Sequence, residues 1–233
     1  MHRLIMNSET YKMASGFSQP MDMDRDPTNV YLWRFPLRRL EGEAVRDVIL
    51  SASGQINLQA GGEPFFPSIP KTLREGYRQG KWDLTREEPS SWRRSVYVYW
   101  KRGLKYPMFE VYDQPDPNVT CEKRNVTTVP TQALTLLNNE FVLVQARYFA
   151  ARVAREAGND PAAQIRMMHR IALSRDPAQD ELESFQVFLR KQEDFHRVRS
   201  TDSSANPADS AALAALTDLA HVMLNANEFI YLN

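Results

Sequence analysis

Cysteine is almost missing from this chain. Cys121 stands alone among 233 residues, so no internal disulfide can form and packing must supply the stability. Cysteine usage therefore leaves the compartment open. Histidine is sparse as well: His2, His169, His196 and His221 are scattered through helical segments with no HExxH or close pair, so no metal site is expected from them. No apolar run approaches the ~20 residues that cross a bilayer. His2, Arg3 and Asn7 interrupt the place where a secretory signal would carry its apolar stretch. Charge of one sign is missing too. Lys plus Arg equals Asp plus Glu at 29 each, which gives nucleic acid or anionic lipid no net field to follow. Neither a P-loop, a GxGxxG nor a GxSxG occurs.

What the chain does contain is core material and helical spacing. Hydrophobic residues make up 42% and charged residues 25%, enough to fill an interior beneath a wetted surface. Leu37, Leu40, Ala44, Val45, Val48, Ile49 and Ala52 recur at three- and four-residue intervals, predicting a helix from about Pro36 to Ser53 with Gly54 as its cap. Arg38, Arg39, Glu41, Glu43, Arg46 and Asp47 fall on its charged face. An earlier helix is expected over about Arg3 to Met13. It begins without a capping residue, as it would in a chain cut from a longer one.

Further on, Pro130 opens a helix that Asn138-Asn139 breaks, and a second runs from Phe141 to Ala157 before Gly158. Asp160-Pro161 and Asp176-Pro177 each read as cap plus first helical residue, for helices reaching Leu173 and Val198. A last amphipathic helix includes Leu213, Leu216, Leu219 and Met223.

The expected fold is mostly α: a multi-helix domain with a small β element at 94–100, candidate partner 126–129, and a long irregular region at 55–91. The chain is expected to form a single domain over 1–233. Its N-terminal helices and irregular region occupy 1–125, and a helical subdomain occupies 126–233 with a mobile linker at about 200–210. Ser95-Val96-Tyr97-Val98-Tyr99-Trp100 puts apolar or aromatic residues on both faces, which predicts a largely buried strand.

Most chemical candidates have plain structural readings. Asp22-Met23-Asp24-Arg25-Asp26 opens like a calcium loop, but Pro27 and Trp33 occupy the turn-glycine and bidentate-glutamate positions, so a polar connector is expected. Trp92, Tyr97, Tyr99 and Trp100 could stack a sugar, though filling a core accounts for them as well. One segment resists the plain account. Residues 113–125 crowd acids, amides and an arginine between prolines, with Asp113, Asp116 and Arg124 as catalytic candidates and Asn118 and Asn125 as binding candidates.

At these residues the sequence resembles a known family. His2-Arg3-Leu4-Ile5-Met6-Asn7-Ser8, Leu32-Trp33-Arg34, Arg38-Arg39-Leu40-Glu41-Gly42-Glu43, Arg94-Ser95-Val96-Tyr97, the 113–125 segment, Val129-Pro130-Thr131-Gln132-Ala133-Leu134 and Leu224-Asn225-Ala226-Asn227-Glu228-Phe229 are similar to the domain of unknown function numbered fifteen fifty-three. In planctomycete-type envelope proteins this domain follows a c-type cytochrome segment.

The resemblance implies an exported, cell-envelope setting, neighbouring domains of a longer polypeptide as partners, and haem c in an adjacent domain. No Cys-x-x-Cys-His is present, so no cofactor is expected on this chain itself. The family supplies no catalytic residues to carry over. The expectation is a non-catalytic structural, interaction or ligand-binding module with a glycan or small molecule as possible ligand. The alternative is a hydrolase acting on polysaccharide or ester substrates through the carboxylates of the 113–125 loop. No nucleic-acid partner and no membrane span are expected.

Overall fold

The computed structural model describes residues 1–16, 20–70, 72–73, 82, 87–199 and 207–232. The chain is 58% helical, with a two-strand antiparallel sheet as its small β component, in agreement with the mostly α expectation. Its contacts gather into two compact units, Met1–Leu40 with Ile230–Asn233, and Glu41–Phe229.

The first unit holds three short helices, α1 (His2–Met6), α2 (Glu9–Lys12) and α3 (Pro20–Arg25), and both strands, β1 (Arg38–Arg39) and β2 (Tyr231–Leu232). Where one helix was expected over residues 3–13 there are two. The Ser8 hydroxyl accepts from the Tyr11 amide and starts a new helix, because a serine side chain competes with the backbone for its own hydrogen bonds. The acidic connector folds around Asp26, whose carboxylate accepts from the amides of Val30 and Tyr31 at 2.9 and 2.8 Å. Those bonds hold the Asp26 carboxyl below the usual carboxylate range. Strand β1 pairs with β2, Arg38 opposite Leu232 and Arg39 opposite Tyr231.

The second unit is a helical body built on α4 (Gly42–Ser53), α5 (Pro107–Val111), α6 (Pro130–Asn138), α7 (Glu140–Ala157), α8 (Pro161–Leu173), α9 (Gln179–Arg199), α10 (Pro207–Leu224) and α11 (Asn227–Ile230, whose last residue falls in the first unit). Helix α7 lies against α4, α8 and α10, and α10 lies against α9. Phe141, Phe149, Ile49, Ile165, Met168 and Leu219 are fully buried where these helices meet. Each such side chain is worth about 1.5–3 kcal/mol by removal from water.

The predicted punctuation marks several ends. Gly54 takes φ +75° as the left-handed cap of α4, and Arg152 of α7 donates to the last-turn carbonyls of Ser51 and Ala52. Asp160 accepts from the amides of Ala162 and Ala163 ahead of Pro161, and Asn139 accepts from Phe141.

Four further expectations need correction. Helix α4 begins at Gly42 rather than Pro36, since Arg38 and Arg39 are committed to the sheet. Asp176-Pro177 does not cap α9, which starts at Gln179. Asp176 instead pairs with Arg170, while Arg175 clamps Glu181 and Glu228 and holds the Glu181 carboxyl down at about 2. The 200–210 linker is helical in its described part, because α10 begins at Pro207; its residues 200–206 lie outside the described residues.

The fourth correction concerns the β element. Ser95–Tyr97 is a turn of 3-10 helix, not a strand, and Val96 is 71% exposed. Side chains anchor the start of the segment out of any ladder: the Ser95 amide donates to Asp47 at 2.7 Å, and just ahead of the segment Arg46 takes the Arg93 and Ser91 carbonyls. Val98 does make one isolated bridge, to Phe65, so its neighbour is the irregular region and not 126–129. Within that region residues 55–70 carry no helix or named strand, and Pro89–Ser91 form a turn of 3-10 helix.

Candidate functional site

Two places gather chemistry in the second unit. One is the 113–125 loop, with the cleft beside it. The other is a buried polar cluster beneath the 87–106 segment.

The loop begins at Asp113, which leaves α5 with φ +62°, a left-handed conformation that aspartate tolerates better than most residues. Its carboxylate accepts from the Thr127 amide at 2.8 Å and from the Thr127 hydroxyl at 2.8 Å. Asp116 instead folds onto its own turn, accepting from the Asn118 amide and side chain at 2.9 and 2.8 Å. Those bonds, with Lys105 adding attraction, hold the Asp116 carboxyl below its ordinary range. Arg124 reaches the start of α4, 2.9 Å from Glu43 and 3.0 Å from Glu41. Asn118 and Asn125 are exposed. The two carboxylates thus bind different partners, and neither lines the cleft next to the loop.

That cleft brings Tyr99 and Trp100 together with Gln114 and Pro117 of the loop, and with Lys101 and Lys105. Its interior is about 10 Å³, roughly the room one water needs. Tyr99 and Trp100 are each 43% exposed at its rim, and Tyr99 packs against Phe66 with centroids 4.8 Å apart. The other aromatic candidates are placed elsewhere. Trp92 is buried edge-on against Tyr148. The Tyr97 ring lies under the Arg93 guanidinium at 4.3 Å, and its hydroxyl accepts from the Gly61 amide.

The buried cluster is the part that sequence reasoning missed. Arg46 was placed on the charged face of α4, yet it is fully buried. Its guanidinium donates to Arg93 and Ser91 carbonyls and to the Ser95 hydroxyl, and it lies 5.0 Å from the Phe141 ring. Glu87 takes the Ser68 hydroxyl and the Trp92 indole N–H. Burial raises the Glu87 carboxyl despite these bonds and the nearby Arg46 charge. Burial likewise raises the Tyr106 phenol. A legible signal existed: Arg46 stands three and four residues before Ile49 and Leu50, on the apolar stripe itself. Among the described residues no three His, Cys, Asp or Glu side chains converge to hold a metal ion.

Residues 1–189 match the family model PSD1, described as a protein of unknown function (DUF1553). The chain belongs to this family. No curated protein and no solved structure matches it. The DUF1553 match spans both the 113–125 loop and the Arg46 cluster. The family is described as of unknown function, so it assigns no catalytic group to either.

Proposed function

We propose that this DUF1553 chain is a non-catalytic structural, interaction or ligand-binding module of a larger bacterial envelope protein. The observation that carries this reading is the use made of the loop's polar groups. Asp113 is bound to Thr127, Asp116 to Asn118, and Arg124 to Glu41 and Glu43. Hydrolysis of a glycosidic bond by a carboxyl pair needs both groups addressing that one bond, and these two are engaged in separate turns. The resemblance to planctomycete-type proteins supports the wider setting: an exported chain, a c-type cytochrome segment nearby, and adjoining domains as partners. No helix among the described residues is long and apolar enough to cross a membrane.

The hydrolase alternative makes a different forecast for the same loop. A screen against polysaccharide and ester substrates should find no turnover in the wild-type chain or in the Asp113→Ala, Asp116→Ala double variant, with folding checked by circular dichroism. Turnover that disappears in a folded double variant would overturn the module reading.

A further inference from the structure

We propose that the turn from Tyr99 to Lys105 is a binding site for an acidic polysaccharide, one whose sugar rings carry carboxylates. The inference rests on reading the domain as a binding module, and it names the ligand.

The turn concentrates what such a polymer needs. An antiparallel bridge between Lys101 and Leu104 closes it, with Arg102 and Gly103 exposed at the tip. Lys101, Arg102 and Lys105 put three cations into five residues of a chain with zero formal net charge. Lys101 and Lys105 both line the cleft, beside the exposed faces of Tyr99 and Trp100.

Tyr99 is preorganised. It is backed by Phe66, and Phe66 by Trp82 at 5.3 Å, so little of the Tyr99 side-chain freedom is lost on binding. Asp116 is near enough to feel Lys105, but its oxygens are held by Asn118.

Size decides how the ligand sits. An interior of about 10 Å³ takes a carboxylate oxygen and not a sugar ring, so the ring lies outside, on Tyr99 and Trp100. Each residue of an acidic polysaccharide offers one apolar ring face and one negative charge, which matches an aromatic pair beside a lysine pair. Nucleic acid fits less well. Its affinity comes from many phosphate contacts along a basic track, and here the cations are confined to one turn.

The test uses the full chain and three probes: polygalacturonate, neutral dextran and a single-stranded oligodeoxynucleotide, titrated at low and high salt. Polygalacturonate should bind, weaken with salt, and lose about tenfold or more in affinity in Trp100→Ala and in Lys101→Ala with Lys105→Ala. Trp100 is a half-exposed side chain, so a folded variant is expected and circular dichroism checks it. Dextran should not bind. Absence of polygalacturonate binding, equal binding of dextran, tighter binding of the oligonucleotide, or folded variants that bind like wild type would each overturn the inference. None of these results touches the turnover screen, which tests the module reading separately.

Discussion

Arg124 closes a loop of chain 81 residues long by placing its Nη1 2.9 Å from the Glu43 carboxylate. Glu43 sits in the first turn of α4, where a negative charge is favoured by the helix dipole. One arginine therefore ties the far end of the 113–125 loop to the opening of the first core helix. Both side chains are partly shielded, 32% and 20% exposed. A double-mutant cycle with Arg124→Ala and Glu43→Ala, read by urea unfolding, should return a coupling of about 1 kcal/mol. A coupling of zero would place the pair among surface contacts with no energetic role.

The same helix start depends on a close approach. A Cβ added at Gly42 would lie 3.0 Å from the Tyr112 Cβ and 3.2 Å from the Phe109 Cα, so a side chain there would press on the end of α5 and force its backbone to give way. Gly42→Ala should lose about 1–3 kcal/mol through overpacking, despite alanine's better helix propensity. Gly16→Ala, with nothing within 4 Å, is the control and should unfold like wild type.

Glu87 gives a pH signature. Burial raises its carboxyl above the ordinary 4.5, so the folded chain binds this proton more tightly than the unfolded chain does. The stability it contributes is fully present below the unfolded value and is lost as pH rises through the folded one. Unfolding of wild type and Glu87→Gln should be compared across acid and neutral pH. The difference, wild type minus variant, should fall as pH rises. Taking the difference removes Asp26, Asp116 and Glu181, whose lowered carboxyls act in the opposite direction.

Much of the helical body was legible because local rules and packing agree there. Asp160-Pro161, Asn139 and Gly54 announce helix ends through their own backbone preferences, and each end lies where it was read. The 94–100 segment departs from its local pattern because its outcome is set at long range: Asp47 takes the Ser95 amide from 48 residues away, and Arg46 holds the Ser91 and Arg93 carbonyls just ahead of the segment from 45 and 47 residues away. Arg46 itself was misplaced by its charge, although its spacing put it with Ile49 and Leu50. For the loop, composition revealed a concentration of polar groups. Which partner each group takes depends on where α4 brings Glu43 and where the segment ahead of α6 brings Thr127, and no local pattern encodes that.

The 113–125 loop is docked into the fold through its polar groups, and amide hydrogen exchange at Thr127 reads that docking at a single bond. Thr127 is exposed, and its N–H donates to the Asp113 carboxylate at 2.8 Å. The account predicts exchange slowed by about tenfold or more relative to an unstructured chain, with that protection lost in Asp113→Ala. Exchange at the unstructured rate in the wild-type protein, under conditions where α7 amides remain protected, would contradict it.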